Sequence, residues 1–177
     1  PSTMYYTNPE GQHVEMATFF DQDREPVAFD QVATVMYDAI ISSEDPRFYE
    51  HGGIDIIGTA RAVIKTYSGG AVQGGSSISQ QYVKNVQVQA CNADAETDAD
   101  LKACYDEAVT SDGTSGMARK LQEMRYSIEL EKQYNKDDIL LGYLNIAGFG
   151  GLTYGVQAAA QRYFSVNAAD LNVGQAA

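Results

Sequence analysis

Glu44-Asp45-Pro46-Arg47-Phe48-Tyr49-Glu50-His51-Gly52-Gly53 is the stretch on which the reading of this chain turns. Upstream of it, from Phe29 on, Val32, Ala33, Met36, Ala39 and Ile40 recur at helical spacing, so a buried helix is expected up to about Ser42. Pro46 disfavours helix at the residue before it, and the helix therefore ends against Ser43-Glu44-Asp45. Two adjacent carboxylates at a helix C-terminus oppose the macrodipole, which raises the pKa of whichever is desolvated. Such a carboxylate suits a general base. Taken alone, the pair reads more simply as an exposed acidic turn with His51 as hydrogen-bond partner.

Working outward, Asp55 is placed to cap a second helix through Ile56, Ala60, Val63 and Ile64. Gly69-Gly70 and Gly74-Gly75 bracket a loop, and Ser77-Ile78-Ser79-Gln80 has the form of a capping box, so a helix starts there. Glycines, hydroxyls and free N–H groups before a helix N-terminus make an anion site, and Lys84 lies one turn beyond Gln80 on the same face. The Gly-x4-Gly-Lys-Ser/Thr order of a P-loop is absent, and a plain capped loop is the alternative. Further on, Met117, Leu121, Met124 and Ile128 mark another helix, on which Arg119 and Lys120 flank Glu123 at helical spacing. A solvated ion-pair face is the alternative there. Asn135-Lys136-Asp137-Asp138 caps a helix through Ile139, Leu140, Tyr143 and Leu144, and a glycine-rich turn (Gly148, Gly150, Gly151) leads to a small-residue helix from Gly155 to Phe164.

The remaining segments carry less information. Residues 3–20 alternate loosely around Asn8-Pro9-Glu10-Gly11 and predict a short hairpin. Residues 88–114, rich in Ala, Asp, Thr and Ser, are expected to be a mobile or inserted segment. The whole is mainly α with at most a small N-terminal β-hairpin, and without a βαβ pattern Rossmann chemistry is excluded.

Composition narrows the class. At 177 residues with 44% apolar content the chain fits one globular domain. Its 12 basic residues against 24 acidic ones give a net charge of −12, which argues against nucleic-acid binding, since that needs a Lys/Arg stripe. A substrate carrying phosphate would have to be met by a local gathering of those cations. No stretch approaches the roughly 18 apolar residues of a spanning helix. The ending at Leu171–Ala177 resembles an interrupted apolar helix, which is expected of a fragment of a longer protein. The 2 cysteines, Cys91 and Cys104, have neither CxxC spacing nor a nearby histidine. A disulfide between them is favoured over free thiols, and it would point to an oxidising, extracytoplasmic setting.

In this order the signals become specific. The chain resembles glycosyltransferase family 51, the peptidoglycan glycosyltransferase domain of class A penicillin-binding proteins. The match covers Glu-Asp-x-x-Phe-x-x-His-x-Gly at 44–53, Gly-Gly-Ser-Thr-Ile-Thr-Gln-Gln at 74–81, Arg-Lys-x-x-Glu at 119–123, Lys-x-x-Ile-Leu-x-x-Tyr-Leu-Asn at 136–145 and Gly-x-x-x-Ala-Ala-x-x-Tyr-Phe at 155–164. Ser77 and Ser79 replace the usual threonines and keep the hydroxyls, Gln175 stands where glutamate is frequent, and 88–114 looks longer than the usual link.

The resemblance implies a lysozyme-like fold with a membrane-facing jaw, to which Ile56, Ile57, Val63 and Ile64 would belong. It implies one domain over 1–177, taken from a parent with an N-terminal transmembrane anchor that is either bifunctional, with a C-terminal transpeptidase domain, or monofunctional. Glu44 would deprotonate the 4-hydroxyl of lipid II, which attacks the anomeric carbon of the growing glycan-lipid chain with inversion. Glu123 would organise the pyrophosphate side. Lys84, Arg119 and Lys120 would neutralise phosphates, while Asp45, Gly75, Ser76, Ser77, Gln80, Gln81 and Asn85 would contact substrate. Phe48 and His51 would shape the loop, and Tyr143, Asn145, Tyr163 and Phe164 would be scaffold. A divalent cation, Mg or Mn, would be held mainly through the pyrophosphate, with any protein ligands unknown. The resemblance further implies the outer face of the bacterial cytoplasmic membrane, moenomycin as inhibitor, and cell-wall synthesis or division proteins as partners. Two rivals stay open from the residues: a lytic enzyme of lysozyme-like fold, and an inactive scaffold that binds lipid II.

Overall fold

The computed structural model describes residues 2–19, 22–58, 75–109 and 113–177. The hairpin is present: β1 (Ser2–Thr7) and β2 (His13–Phe19) pair antiparallel, with Asn8 Oδ1 accepting from the Gln12 N–H at 2.8 Å to tighten the turn. A second small sheet pairs β3 (Asp23–Arg24) in parallel with β4 (Thr153–Tyr154). Among the described residues the other regular elements are helical.

The first helix, α1 (Thr34–Glu44), starts later and ends later than its apolar spacing predicts. Phe29–Gln31 is instead a single 3-10 turn. Its Gln31 side chain returns to the Ala28 N–H at 2.8 Å, and the Ala33 N–H is drawn to Ala168 O at 2.9 Å. Those bonds take the backbone N–H groups that a longer helix would have used. At the other end the Asp45 N–H still bonds Ile41 O, so the final turn carries Glu44 with it.

Helix α2 (Ile78–Asp94) is the axis of the fold and packs against α3 (Asp98–Val109), α4 (Gly113–Gln133) and α5 (Lys136–Ile146). Its start is the capping box read from the sequence: Ser77 Oγ accepts from the Gln80 N–H, and Gln80 Oε1 accepts from the Ser77 N–H. Asn135 caps α5 in the same way, through the Asp138 N–H at 2.8 Å. Gly142 allows α5 its close approach to α2, since a Cβ there would lie 2.7 Å from the Tyr82 ring. The core between these helices holds Phe48, Ile78, Ile139, Leu140 and Leu144, closed by Val156 and Ala160 of α6 (Val156–Phe164). A last short helix, α7 (Val173–Ala176), packs on α1.

The segment 88–114 departs from the expected mobile stretch wherever it is described. Helix α2 runs through its first part, and α3 folds back on α2 as an ordered helical insert. The signal was present in Thr97-Asp98-Ala99-Asp100. Thr97 Oγ1 accepts from the Asp100 N–H, and Asp100 Oδ2 accepts from the Thr97 N–H, a capping box with aspartate in the return position. The insert is clasped by the Cys91–Cys104 disulfide, as expected. Removing it, by reduction or by Cys104→Ser, should cost about 3 kcal/mol through loop entropy and lower the melting point by roughly 10 °C. Thermal unfolding with and without reductant measures this, and an unchanged midpoint would mean the clasp adds nothing to global stability.

The loop about Gly69-Gly70 and Gly74, and the helix continuation through Ala60, Val63 and Ile64, lie outside the described residues. What is described of that helix fits its cap, since Asp55 Oδ1 accepts from the Gly58 N–H at 2.8 Å. Ile56 and Ile57, expected in the jaw, are 75% and 60% exposed. No helix among the described residues is long and apolar enough to cross a membrane.

Candidate active site

The C-terminus of α1, the N-terminal half of α2 and the middle of α4 surround one cleft of about 600 Å³. Every residue assigned to catalysis or substrate from the sequence lines it, from Glu44 and Asp45 through Gly75, Ser76, Ser77, Gln80, Gln81, Lys84 and Asn85 to Arg119, Lys120 and Glu123. The structure divides these residues into groups that face the cleft and groups that build its walls.

Asp45, not Glu44, is the desolvated member of the pair. It is 3% exposed, and its carboxylate meets His51 Nε2 at 2.8 Å and the Ile78 N–H at 3.1 Å. Ile78 opens α2, so Asp45 sits on a helix N-terminus, where a negative charge is favoured. Asp45 thus joins the end of α1 to the start of α2 while lining the cleft. Ser77 and Gln80 are likewise turned inward. Ser77 Oγ donates to Gly53 O at 2.7 Å, and Ser77 Oγ and Gln80 Oε1 close the capping box. His51 and Phe48 shape the loop as expected, Phe48 being fully buried.

Glu44 is exposed to the cleft. Gln81 Nε2 donates to its Oε2 at 2.8 Å, and Tyr143 Oη donates in turn to Gln81 Oε1 at 3.1 Å. The Tyr143 hydroxyl is pushed up to about 12, first by burial and then by the charge of Glu44. Glu44 is thus the one carboxylate here that is both open to solvent and held by an amide.

Across the cleft Glu123 is 2% exposed and bonded by Arg119, with Lys120 at 3.2 Å from its other oxygen. Lys120 also donates to Ser76 Oγ, which links α4 to the loop before α2. The buried carboxylate therefore fixes two cations in the lining of the cleft, which Lys84 also lines. This is the local gathering of positive charge that a chain of net charge −12 needs to meet an anion. Replacing Glu123 with alanine should destabilise the protein by about 2 kcal/mol, discounted from a fully buried pair because Lys120 is partly exposed. Urea unfolding tests this, and a loss under about 0.5 kcal/mol would mean the pair contributes nothing measurable.

The described residues do not fit a protein-held metal. No group of three or more His, Cys, Asp or Glu side chains is arranged for one, and both Glu123 oxygens face cations.

A further network escaped sequence reasoning. Ser79 Oγ donates to Glu131, whose carboxylate pairs with Lys136 at 2.7 Å, and the Lys136 ammonium lies 4.3 Å from the centre of the Phe48 ring. It pins α2, α4 and α5 to the loop after α1. Asn145 is scaffold as expected, its amide exchanging two 3.0 Å bonds with the Val27 backbone.

The sequence has relatives among known proteins. The sequence is 37% identical over 92% of its length to penicillin-binding protein 1F of Bacillus subtilis, of which it covers 20%. It is 36% identical over 96% of its length to penicillin-binding protein 1A of Mycobacterium tuberculosis, covering 17% of that protein. Against the monofunctional glycosyltransferase of Staphylococcus aureus the identity is 38% over 78% of this chain and 43% of the relative. The chain thus spans less than half the length of each of these relatives. The profile of the family described as Transglycosylase matches residues 11–177, and the chain belongs to that family.

Proposed function

We propose that this chain is the polymerising domain of a peptidoglycan glycosyltransferase, acting on lipid II and the growing glycan-lipid chain at the outer face of the cytoplasmic membrane. The observation that carries the reading is the two-sided cleft. One wall offers a solvent-open carboxylate, Glu44, and the other a set of cations, Arg119 and Lys120, locked by a buried glutamate. That division suits a reaction with an acceptor hydroxyl on one side and a pyrophosphate leaving group on the other.

In the proposed step the acceptor 4-hydroxyl gives its proton to Glu44 and its oxygen attacks the donor's anomeric carbon. The bond from that carbon to the pyrophosphate oxygen breaks on the opposite face, which inverts the configuration to β-1,4. No covalent glycosyl-enzyme is required. The departing pyrophosphate gains negative charge, and Lys84, Arg119 and Lys120 stabilise it where it forms. Asn85 and Ser76 stand beside these cations as hydrogen-bonding groups. A Mg or Mn ion held by the pyrophosphate would need no protein cage.

The test is incubation of the full-length protein with lipid II in liposomes. The expected result is polymer and undecaprenyl pyrophosphate, both suppressed by moenomycin. Soluble muropeptides released from purified sacculi, with no polymer, would favour a lytic enzyme instead.

A further inference from the structure

Glu44 presents a mechanical problem. It is the last residue of α1, exposed, on a side chain with three rotatable bonds, yet a general base must hold its oxygen within hydrogen-bond reach of the acceptor. Among the described residues two side chains hydrogen-bond its carboxylate, Ser43 at 3.4 Å and Gln81 at 2.8 Å. The shorter bond depends on which way the Gln81 amide is turned, since only its nitrogen can donate. A primary amide has two orientations of nearly equal shape, and the wrong one would set oxygen against carboxylate.

The choice is made by Tyr143 of α5. Its hydroxyl donates to Gln81 Oε1 at 3.1 Å and so turns Nε2 toward Glu44. Three features make the tyrosine a dependable donor. Its ring lies in the core, 7% exposed, among the residues that join α5 to α1 and α2. The preceding residue, Gly142, lets α5 approach α2 closely enough for the hydroxyl to reach Gln81. With its pKa pushed up to about 12, the hydroxyl keeps its proton throughout the range in which a glutamate base works.

We infer that Tyr143 is a positioning residue for the reaction: by fixing the Gln81 amide it holds the Glu44 carboxylate toward the acceptor hydroxyl. This rests on the reading of Glu44 as the base, and it replaces two expectations. Gln81 serves the base rather than the sugar, and Tyr143 is more than scaffold.

The test compares Tyr143→Phe, Gln81→Met and the double variant with Glu44→Gln, all as full-length protein polymerising lipid II. Phenylalanine keeps the buried ring, and methionine keeps the chain length without the amide. Tyr143→Phe should lower kcat about tenfold, the scale of one hydrogen bond to a charged group, with KM for lipid II within about twofold. In the Gln81→Met background the same tyrosine change should have little further effect, because the hydrogen-bonded route to Glu44 is already gone. A purely structural tyrosine would instead give multiplying losses, with the melting point falling in step with kcat, and that outcome overturns the inference. So does wild-type kcat in Tyr143→Phe beside an inactive Glu44→Gln. Should Glu44→Gln itself polymerise normally, the base assignment fails and the positioning role with it.

Discussion

Glu44→Gln is expected to reduce glycan polymerisation by roughly 10² to 10⁴-fold, the range that a positioned general base supplies, while leaving the fold intact. The size of the effect follows from the chemistry of the two partners. The pyrophosphate departs readily once its charge is met, so the demanding proton transfer is the one from the acceptor alcohol. An alcohol is a weak nucleophile until its proton is taken, and Glu44 is the carboxylate of the cleft that is neither buried nor ion-paired. Asp45 cannot replace it, because its oxygens are committed to His51 and the Ile78 N–H. Glu123 cannot either, since both of its oxygens face cations. The glutamine keeps an oxygen able to accept from Gln81 and, at an exposed site, should shift stability by no more than about 0.5 kcal/mol. Initial rates of lipid II consumption, read beside melting curves, separate the two effects. A variant that folds normally and retains more than about a tenth of wild-type rate would remove Glu44 from the base role.

What could be read from the sequence was whatever the chain decides locally. The caps at Ser77 and Asn135 are short-range hydrogen-bond patterns, and both stand where they were expected. The hairpin turn is local too. Membership of the cleft was also legible, because five ordered motifs constrain one another, and every residue assigned to catalysis or substrate, drawn from the first three motifs and from Lys84 and Asn85, lines one space. The inward or outward direction of each side chain was not. Asp45 and Ser77 carry the same polar atoms as Glu44 and Ser76, and only the packing of α2 against the loop from α1 decides that Asp45 is held by His51 and the Ile78 N–H and Ser77 by backbone. The contacts of Glu131 with Ser79, and of Tyr143 with Gln81, cross between helices that are far apart in sequence. No periodicity reports them. The helices within 88–114, expected as a mobile or inserted segment, were not read for another reason: its alanines and aspartates resemble a polar tract until Thr97 and Asp100 are seen to close a cap.

Gly53→Ala should be the most damaging single methyl in the described part of the molecule. Gly53 adopts φ +81°, in the left-handed region, where a Cβ costs about 1 kcal/mol before any contact is made. The contacts are worse. A Cβ would stand 2.7 Å from the carbonyl carbon and oxygen of Ser127 and 2.8 Å from Ile128 N, all backbone atoms of α4 that cannot rotate aside. Gly53 O also accepts from Ser77 Oγ, so the same peptide ties down the start of α2. Overpacking of this kind adds roughly 2 kcal/mol, and the total of about 3 kcal/mol should lower the melting point by about 10 °C in a domain of this size. Function should suffer further. To relieve the clash α4 must withdraw from the loop that follows α1, and α4 carries Arg119, Lys120 and Glu123 while α1 carries Glu44. The two sides of the cleft would separate, lowering kcat even below the melting transition. The neighbouring Gly52 is the control, because nothing lies within 4 Å of a Cβ there and its φ is not in the left-handed range, so Gly52→Ala should change stability by no more than about 0.5 kcal/mol. Equal melting points for the two variants would mean that α4 does not bear on the loop at Gly53, and that the spacing of the cleft walls is set elsewhere.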